Sequence, residues 1–396
     1  MILNLDCRHG LAMLPDNSID AIVTDAPYEL GFMGKSWDRS GIAFDRSVWA
    51  EALRVLKPGG HMLAFSGSRT YHRMAVAIED GGFEIRDQIM WIYGSGFPKS
   101  LDISKALDKV LGHERQVVAQ HYRAATGRDE GYGFGESFDI TVASSIAAQL
   151  WEGWGTGLKP AHEPICVARK PLIGTVADNV MAWGVGGINI DDCRVSARVP
   201  GEEGRWPANL IHDGSPEVLA MFPDAAGQLG QITGVEESPA STGHVGGYRA
   251  RVPSAEPRGA ATIAARFFKQ IEWTQDDLEA ALFYYCAKAS RKDRDEGLQG
   301  MQPRVTNDGR AVAADNAYQR GKTLRLNHHP TVKPTELMRY LCRLVCPPGG
   351  TLLDLFAGSG STGKACAIEG FQFVGFELDA EIIDVANARC EYAKCL

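Results

Sequence analysis

Ala21-Ile22-Val23-Thr24-Asp25-Ala26-Pro27-Tyr28 runs an apolar segment straight into an acidic residue, a stiff proline and an aromatic ring. Ile19 to Thr24 reads as a buried strand. The tetrapeptide Asp25-Ala26-Pro27-Tyr28 then makes a compact polar clamp beside a flat surface, suited to a planar group bearing an NH2. The plainer alternative is that Asp25 only caps a turn. Outward from this segment, the first hundred residues alternate apolar strands with helical stretches, the pattern of an α/β sheet. Val48 to Leu56 is an amphipathic helix closed by Lys57-Pro58-Gly59-Gly60. His61 to Phe65 is the next strand, and Tyr71 to Ile78 the next helix. Phe83 to Tyr93 reads as one strand or a hairpin, Ser100 to Leu111 as a helix, and Pro164 to Lys170 as a strand. The glycine-rich stretch from Gly127 to Gly135 reads as a mobile loop.

From about 195 to 325 glycine and proline are frequent and apolar periodicity is weak, which fits an irregular lobe inserted into the α/β framework. Regular alternation resumes at Pro334: a helix to Val345, a strand from Thr351 to Phe356 and a helix from Ser359 to Glu369. Phe371 to Phe376 is the next strand and Ala380 to Tyr392 the final helix. The expected organisation is therefore a core part over 1–194, a lobe over 195–325 and a second core part over 326–396. Both core parts are expected to share one sheet.

An apolar content of 44% with 23% charged residues describes an ordinary globular chain. No run approaches twenty uninterrupted apolar residues, and the start is too short and acidic for a signal peptide, so a cytoplasmic protein without a membrane span is expected. Nine cysteines without a disulfide-like pattern fit free thiols in a reducing compartment. Cys342 and Cys346 stand four apart on a helix with no second ligand pair nearby, so no metal is expected. The net charge of −8 argues against a nucleic-acid partner until it is read locally. Arg249, Arg251, Arg258, Arg266 and Lys269 stand against Glu256 alone, and a second basic stretch runs from Arg304 to Lys333. Either stretch alone could be a solvated surface of mixed charge.

The second chemical element is Asp354-Leu355-Phe356-Ala357-Gly358-Ser359-Gly360, which follows a strand and opens a helix. Its small residues allow close backbone approach, and the helix amino end offers N–H groups and partial positive charge. Glu377 ends the next strand, where ribose hydroxyls would find an acidic acceptor. The third glycine of a dinucleotide fingerprint is missing, and Lys364 lacks the setting of a phosphate-loop lysine. A nucleoside with a short zwitterionic tail, such as S-adenosylmethionine, fits better.

Asp25-Ala26-Pro27-Tyr28 resembles the Asp-Pro-Pro-Tyr motif of DNA amino-methyltransferases, which methylate the exocyclic amine of adenine or cytosine. Phe356 to Gly360 resembles their cofactor loop, and His329-Pro330-Thr331-Val332-Lys333-Pro334 the segment just before it. Lys159-Pro160-Ala161-His162-Glu163-Pro164 and Phe32 to Asp38 resemble stretches common in phage and prophage members. The motif order resembles the circularly permuted β group. The resemblance implies a Rossmann-like, mostly parallel S-adenosylmethionine-dependent methyltransferase sheet with an inserted target-recognition lobe. It covers roughly the first 190 and the last 70 residues.

Carried onto this sequence, the resemblance implies that Phe356, Ala357, Gly358, Ser359 and Gly360 contact the methionine part of the cofactor, with Asp354 supporting the loop. Glu377 would bind the ribose hydroxyls, Leu378 would also border the cofactor, and Asp6 with Cys7 would lie near the adenine. Thr331 and Lys333 would face the cofactor carboxylate. Asp6 could equally cap the following turn, and Lys333 could simply precede a helix. Asp25 and the Ala26 carbonyl would accept the two amino hydrogens of a base flipped out of double-stranded DNA, Pro27 would stiffen the turn, and Tyr28 would stack on the base. Ala26 departs from the family's proline, which leaves the turn freer. Trp91 and Tyr93 could pack on that base, but core packing is the better expectation. Arg249, Arg251, Arg258 and Arg266 are the candidate DNA contacts.

Asp at the first motif position points to adenine N6 in this family. The rivals are cytosine N4, a protein glutamine amide, and an inactive DNA-binding relic with Ala26 as its lesion. Similar enzymes often pair as homodimers, and some act beside a partner endonuclease.

Overall fold

The computed structural model describes residues 1–31, 36–94, 96, 100–122, 137–195, 204–222, 224–225, 262–271, 289–306 and 323–395. Gly127 to Gly135, Arg249, Arg251, Arg258 and Phe32 to Lys35 lie outside these residues. Nine strands make one sheet: β1 (Ile2–Asn4), β2 (Ile19–Asp25), β3 (Leu56–Phe65), β4 (Glu84–Ile92), β5 (His162–Arg169), β6 (Leu210–His212), β7 (Lys269–Gln270), β8 (Thr351–Asp354) and β9 (Gln372–Glu377). Their order is β1-β9-β8-β2-β3-β5-β4-β6-β7. Within this sheet β5 alone runs against its neighbours, pairing His61 with Arg169 on one side and Trp91 with Glu163 on the other. The remaining pairings are parallel.

The amino- and carboxy-terminal parts do share the sheet, because β8 pairs with β2 through Leu352–Ala21 and Leu353–Ile22. From that pair the chain winds outward both ways, β8 to β9 on one side and β2 to β3 on the other. The carboxyl ends of β8 and β2 therefore meet at the topological switch point, where loops diverge and leave a crevice. Asp354 and Asp25 are the last residues of those two strands.

Strand alternation divides the core into two layers. Ala21, Val23, Leu63, Phe65 and Leu352 face α5 (Thr335–Val345) and the buried side of α6 (Ser361–Glu369). Ile22, Met62, Ala64 and Leu353 face α1 (Cys7–Met13), α2 (Arg46–Val55) and α3 (Tyr71–Asp80). Buried on both faces, β2 must read as a continuous apolar run, as it does. At its amino end, buried Asp20 accepts from Lys57 Nζ at 2.5 Å and from the Thr351 N–H at 2.7 Å, tying three strands together. A last helix, α7 (Ala380–Ala393), closes over α6.

Two readings change. Lys57-Pro58-Gly59-Gly60 is not a free turn but the start of β3. The register with β2 slips there, and Gly59 sits at φ 77°, a conformation only glycine adopts without strain. Second, β6 and β7, both within 195–325, extend the sheet, and α4 (Arg291–Asp295) packs against the carboxy-terminal helices. Those strands are two and three residues long, too short to give a period. The stretch from Phe83 to Tyr93 holds the single strand β4 and no hairpin, and Trp91 and Tyr93 are, as expected, core residues, with ring centroids 5.3 Å apart. No described helix is long and apolar enough to cross a membrane. Among the described residues, no cluster of three His, Cys, Asp or Glu side chains is arranged to hold a metal ion.

Candidate active site

Asp25 leaves the sheet with its carboxylate divided between two environments. Oδ2 is ion-paired with Lys333 Nζ, from a segment 308 residues away. Oδ1 is buried and accepts no hydrogen bond from any described group. A buried acceptor left open costs free energy unless something else fills it. Ala26 is buried, while Pro27 and Tyr28 are half-buried at the crevice wall. The Tyr28 carbonyl accepts from Thr70 Oγ1 at 2.7 Å, and its hydroxyl donates to Glu163 Oε2 at 2.9 Å, so the ring is held at both ends. Lys333 also stands over the rings of Phe65 and Tyr28, 4.9 and 5.3 Å from their centroids.

The glycine loop starts from Asp354, fully buried beneath it. Its carboxylate accepts from Thr24 Oγ1 at 2.7 Å, Thr362 Oγ1 at 2.5 Å and the Phe356 N–H at 3.1 Å. This carboxylate braces the loop from within the protein. Burial pushes its pKa up to about 6 against those hydrogen bonds, and the Asp25 charge adds to the rise. A folded-state value above the ordinary 3.8 means that ionisation costs stability. That cost is present in full above about pH 6 and is relieved as the pH falls towards 4. The stability of the wild type relative to Asp354→Asn is therefore expected to improve between pH 8 and pH 5, measured by denaturant titration. An unchanging difference would show that Asp354 is ionised at no cost.

Gly358 and Gly360 sit at φ 49° and 76°. A Cβ at Gly358 would lie 3.1 Å from the His329 ring, and one at Gly360 2.9 Å from the Ala386 carbonyl. His329 is half-buried, and desolvation drives its pKa down to about 3, so the ring is neutral. Gly358→Ala combines left-handed strain of about 1–2 kcal/mol with pressure on that ring. It is expected to weaken cofactor binding roughly tenfold, read by calorimetry. Binding at wild-type strength would place the cofactor away from this loop.

Glu377, at the end of β9, takes the Gly358 N–H on Oε2 and the Asp379 N–H on Oε1, both at 2.8 Å. Burial raises its pKa in spite of these bonds. Leu378 follows with an exposed side chain, its carbonyl accepting from Asn4 Nδ2. β1 brings Asp6 and Cys7 to the same edge. The Asp6 carboxylate caps α1 through the Arg8 N–H at 2.9 Å and pairs with the Arg8 guanidinium at 2.8 Å, so the capping role is the one its geometry displays. The Cys7 thiol is buried and its pKa is raised to about 12, which leaves it neutral. Thr331 makes a long 3.4 Å contact from its N–H to His329 Nδ1. Among the described residues, no side chain caps the amino end of α6, which leaves its first N–H groups without an intrahelical partner.

Three groups of site residues were not singled out by sequence reasoning. Glu163 projects from β5 into the Asp25–Lys333 pair, with its Oε2 3.7 Å from Lys333 Nζ. Arg389 of α7 is completely buried and donates to the Ser359 carbonyl at 2.7 Å. Asp293 of α4 receives Lys364 Nζ at 2.9 Å and the Thr335 N–H at 2.8 Å, with Arg389 Nη2 at 3.7 Å. A signal for Arg389 existed: it continues the buried stripe of Ile382, Val385 and Ala386. Of the expected DNA contacts only the backbone of Arg266 is described, in a short 3-10 turn over Ala264–Phe267.

Compared with known proteins, residues 19–182 and 269–388 match the family model of the N6/N4 methyltransferases, described as DNA methylase. The chain belongs to that family. The matched residues include both strand ends of the switch point, Lys333 and the glycine loop. The chain is 25% identical over 232 residues to the type II methyltransferase M.HindIII of Haemophilus influenzae, covering 48% of this chain and 64% of that one. It is 36% identical over 109 residues to the type II methyltransferase M.Cfr9I of Citrobacter freundii, covering 28% and 32%. It is 36% identical over 66 residues to the DNA adenine methyltransferase YhdJ of Escherichia coli, covering 17% and 22%. The chain thus spans less than two thirds of the length of each of these relatives.

Proposed function

We propose that this methylase transfers a methyl group from S-adenosylmethionine to the exocyclic N6 of an adenine flipped out of double-stranded DNA. The observation that carries the reading is the open Oδ1 of Asp25, a buried acceptor one residue from the Ala26 carbonyl. It lies at the switch point shared with the glycine loop. An exocyclic amine is a poor nucleophile because its lone pair is delocalised into the ring. Two acceptors on its two hydrogens favour a pyramidal nitrogen and stabilise the positive charge that grows on it. The Oδ2–Lys333 pair fixes the carboxylate and leaves the buried Oδ1 without a hydrogen bond from any described group. Tyr28, held by Thr70 and Glu163, offers its ring as a stacking platform. Extruding the base costs about a few kcal/mol, offset by phosphate contacts of basic residues.

The residues around Gly358 fit the cofactor: left-handed glycines, an uncapped helix amino end and the Glu377 carboxylate surround one backbone loop. When bound there, the cofactor supplies an electrophilic sulfonium methyl. Phe356 to Gly360 would take its methionine part, Glu377 and Leu378 its ribose, and Asp6 and Cys7 would border its adenine. Thr331 would meet its carboxylate, while the Lys333 ammonium stays on Asp25 in place of the cofactor contact expected from its segment. The choice of adenine rests on Asp at the head of the motif and on the local match to a protein named as a DNA adenine methyltransferase. Incubating the protein with genomic DNA and labelled cofactor, then digesting to nucleosides for mass spectrometry, tests the reading. N6-methyladenine is the expected product. N4-methylcytosine would reassign the base, and no labelled nucleoside would leave a DNA-binding relic.

A further inference from the structure

We infer that Glu163 is a positioning residue for methyl transfer: it balances the Lys333 ammonium so that Asp25 presents net negative charge to the amine. The inference rests on the proposed methyl-transfer reading of the site. β5 is otherwise an apolar strand at this level, with Ile165, Cys166 and Ala168 fully buried. A carboxylate in such a position is costly unless it is paired and hydrogen-bonded. Glu163 is 6% exposed and opposes Trp91 in the register, so backbone pairing fixes where it points. Its Oε2 receives the Tyr28 hydroxyl at 2.9 Å and lies 3.7 Å from Lys333 Nζ.

Among the described residues, one ammonium therefore serves both carboxylates. An Asp25–Lys333 pair alone would show a nearly neutral face to the incoming amine. With Glu163 the three groups carry a formal charge of about −1, in a site where Lys333 is 5% exposed and charge is weakly screened. During transfer the positive charge moves from sulfur to nitrogen while the N–C bond forms and the C–S bond breaks. The amine then passes its proton to Asp25 Oδ1 and on to solvent, and the C–S electron pair leaves on the neutral thioether. A pocket already negative stabilises charge at both atoms without reorganising.

Glu163→Gln preserves shape and an acceptor for the Tyr28 hydroxyl while removing the charge. In the full chain, single-turnover transfer to DNA is expected to fall roughly ten- to hundredfold. The KM for DNA should stay within about threefold and the melting temperature within a few degrees. A second readout needs no turnover: the ratio of affinities for cationic S-adenosylmethionine and neutral S-adenosylhomocysteine. That preference should drop roughly three- to tenfold in the variant. A transfer rate within twofold of wild type would overturn the inference. So would a slower rate with an unchanged ratio, which would reduce Glu163 to docking Tyr28. A shifted ratio in a protein that methylates no DNA would sink the functional reading and leave the role of Glu163 standing.

Discussion

Asp25→Ala is expected to lower methyl transfer by roughly 10³-fold or more while leaving cofactor affinity within about threefold. The substitution removes the open acceptor and releases Lys333, whose remaining carboxylate neighbour is Glu163 at 3.7 Å. The glycine loop is braced by Asp354, Glu377 and Arg389, none of which hydrogen-bonds to Asp25, so the cofactor surface should persist. Asp25→Asn separates the two losses. It keeps the shape and one carbonyl oxygen but drops the charge, and should retain more activity than the alanine variant. Transfer of labelled methyl to DNA measures both, with calorimetry for the cofactor. Full activity in the alanine variant would mean that the amine is bound elsewhere.

The largest effect on stability is expected at Asp293, far from the motifs in sequence. Its carboxylate meets Lys364, which is 1% exposed, and Arg389, which is 0% exposed, together with both donors of Thr335. Asp293→Ala strips counter-charge from two enclosed cations, which costs about 3–5 kcal/mol when a buried pair loses one member. Urea titration should register that loss. Cofactor affinity should fall with it, because Arg389 also holds the Ser359 carbonyl. Burial alone would raise the Asp293 pKa, but Lys364 and Arg389 hold it below the ordinary value. Its contribution is therefore complete above the unfolded carboxylate value of about 4 and disappears as the pH falls through the depressed folded value. A variant as stable as wild type at pH 7 would show that Glu296 and the backbone suffice for both cations.

Much of the site was legible because its pieces are local. Ile19 to Asp25 had to be a strand buried on both faces, and Gly358-Ser359-Gly360 had to be a tight turn into a helix. The boundaries of α5, α7 and β9 fall within two residues of what periodicity and punctuation indicate. The irregular texture of 195–325 hid β6, β7 and α4, since two to five residues carry no measurable period. Lys333 was the instructive case. Its segment pointed to a cofactor carboxylate, whereas its ammonium sits on Asp25 and near Glu163. A basic residue beside a helix start announces a charge to be neutralised without naming the partner.

The amino-acid order alone determined the alternation of strand and helix, the acidic turn Asp25-Ala26-Pro27-Tyr28 after β2 and the glycine turn after β8, because neighbours along the chain dictate backbone preference and which face is buried. Only the tertiary structure decided that Thr24 meets Asp354 across 330 residues, that Lys333 stands between two carboxylates, and that Arg389 and Asp293 lock the glycine turn from behind. Such contacts join charged groups whose partners are chosen by how strands are ordered in the sheet, and strand order leaves no periodic trace in the sequence.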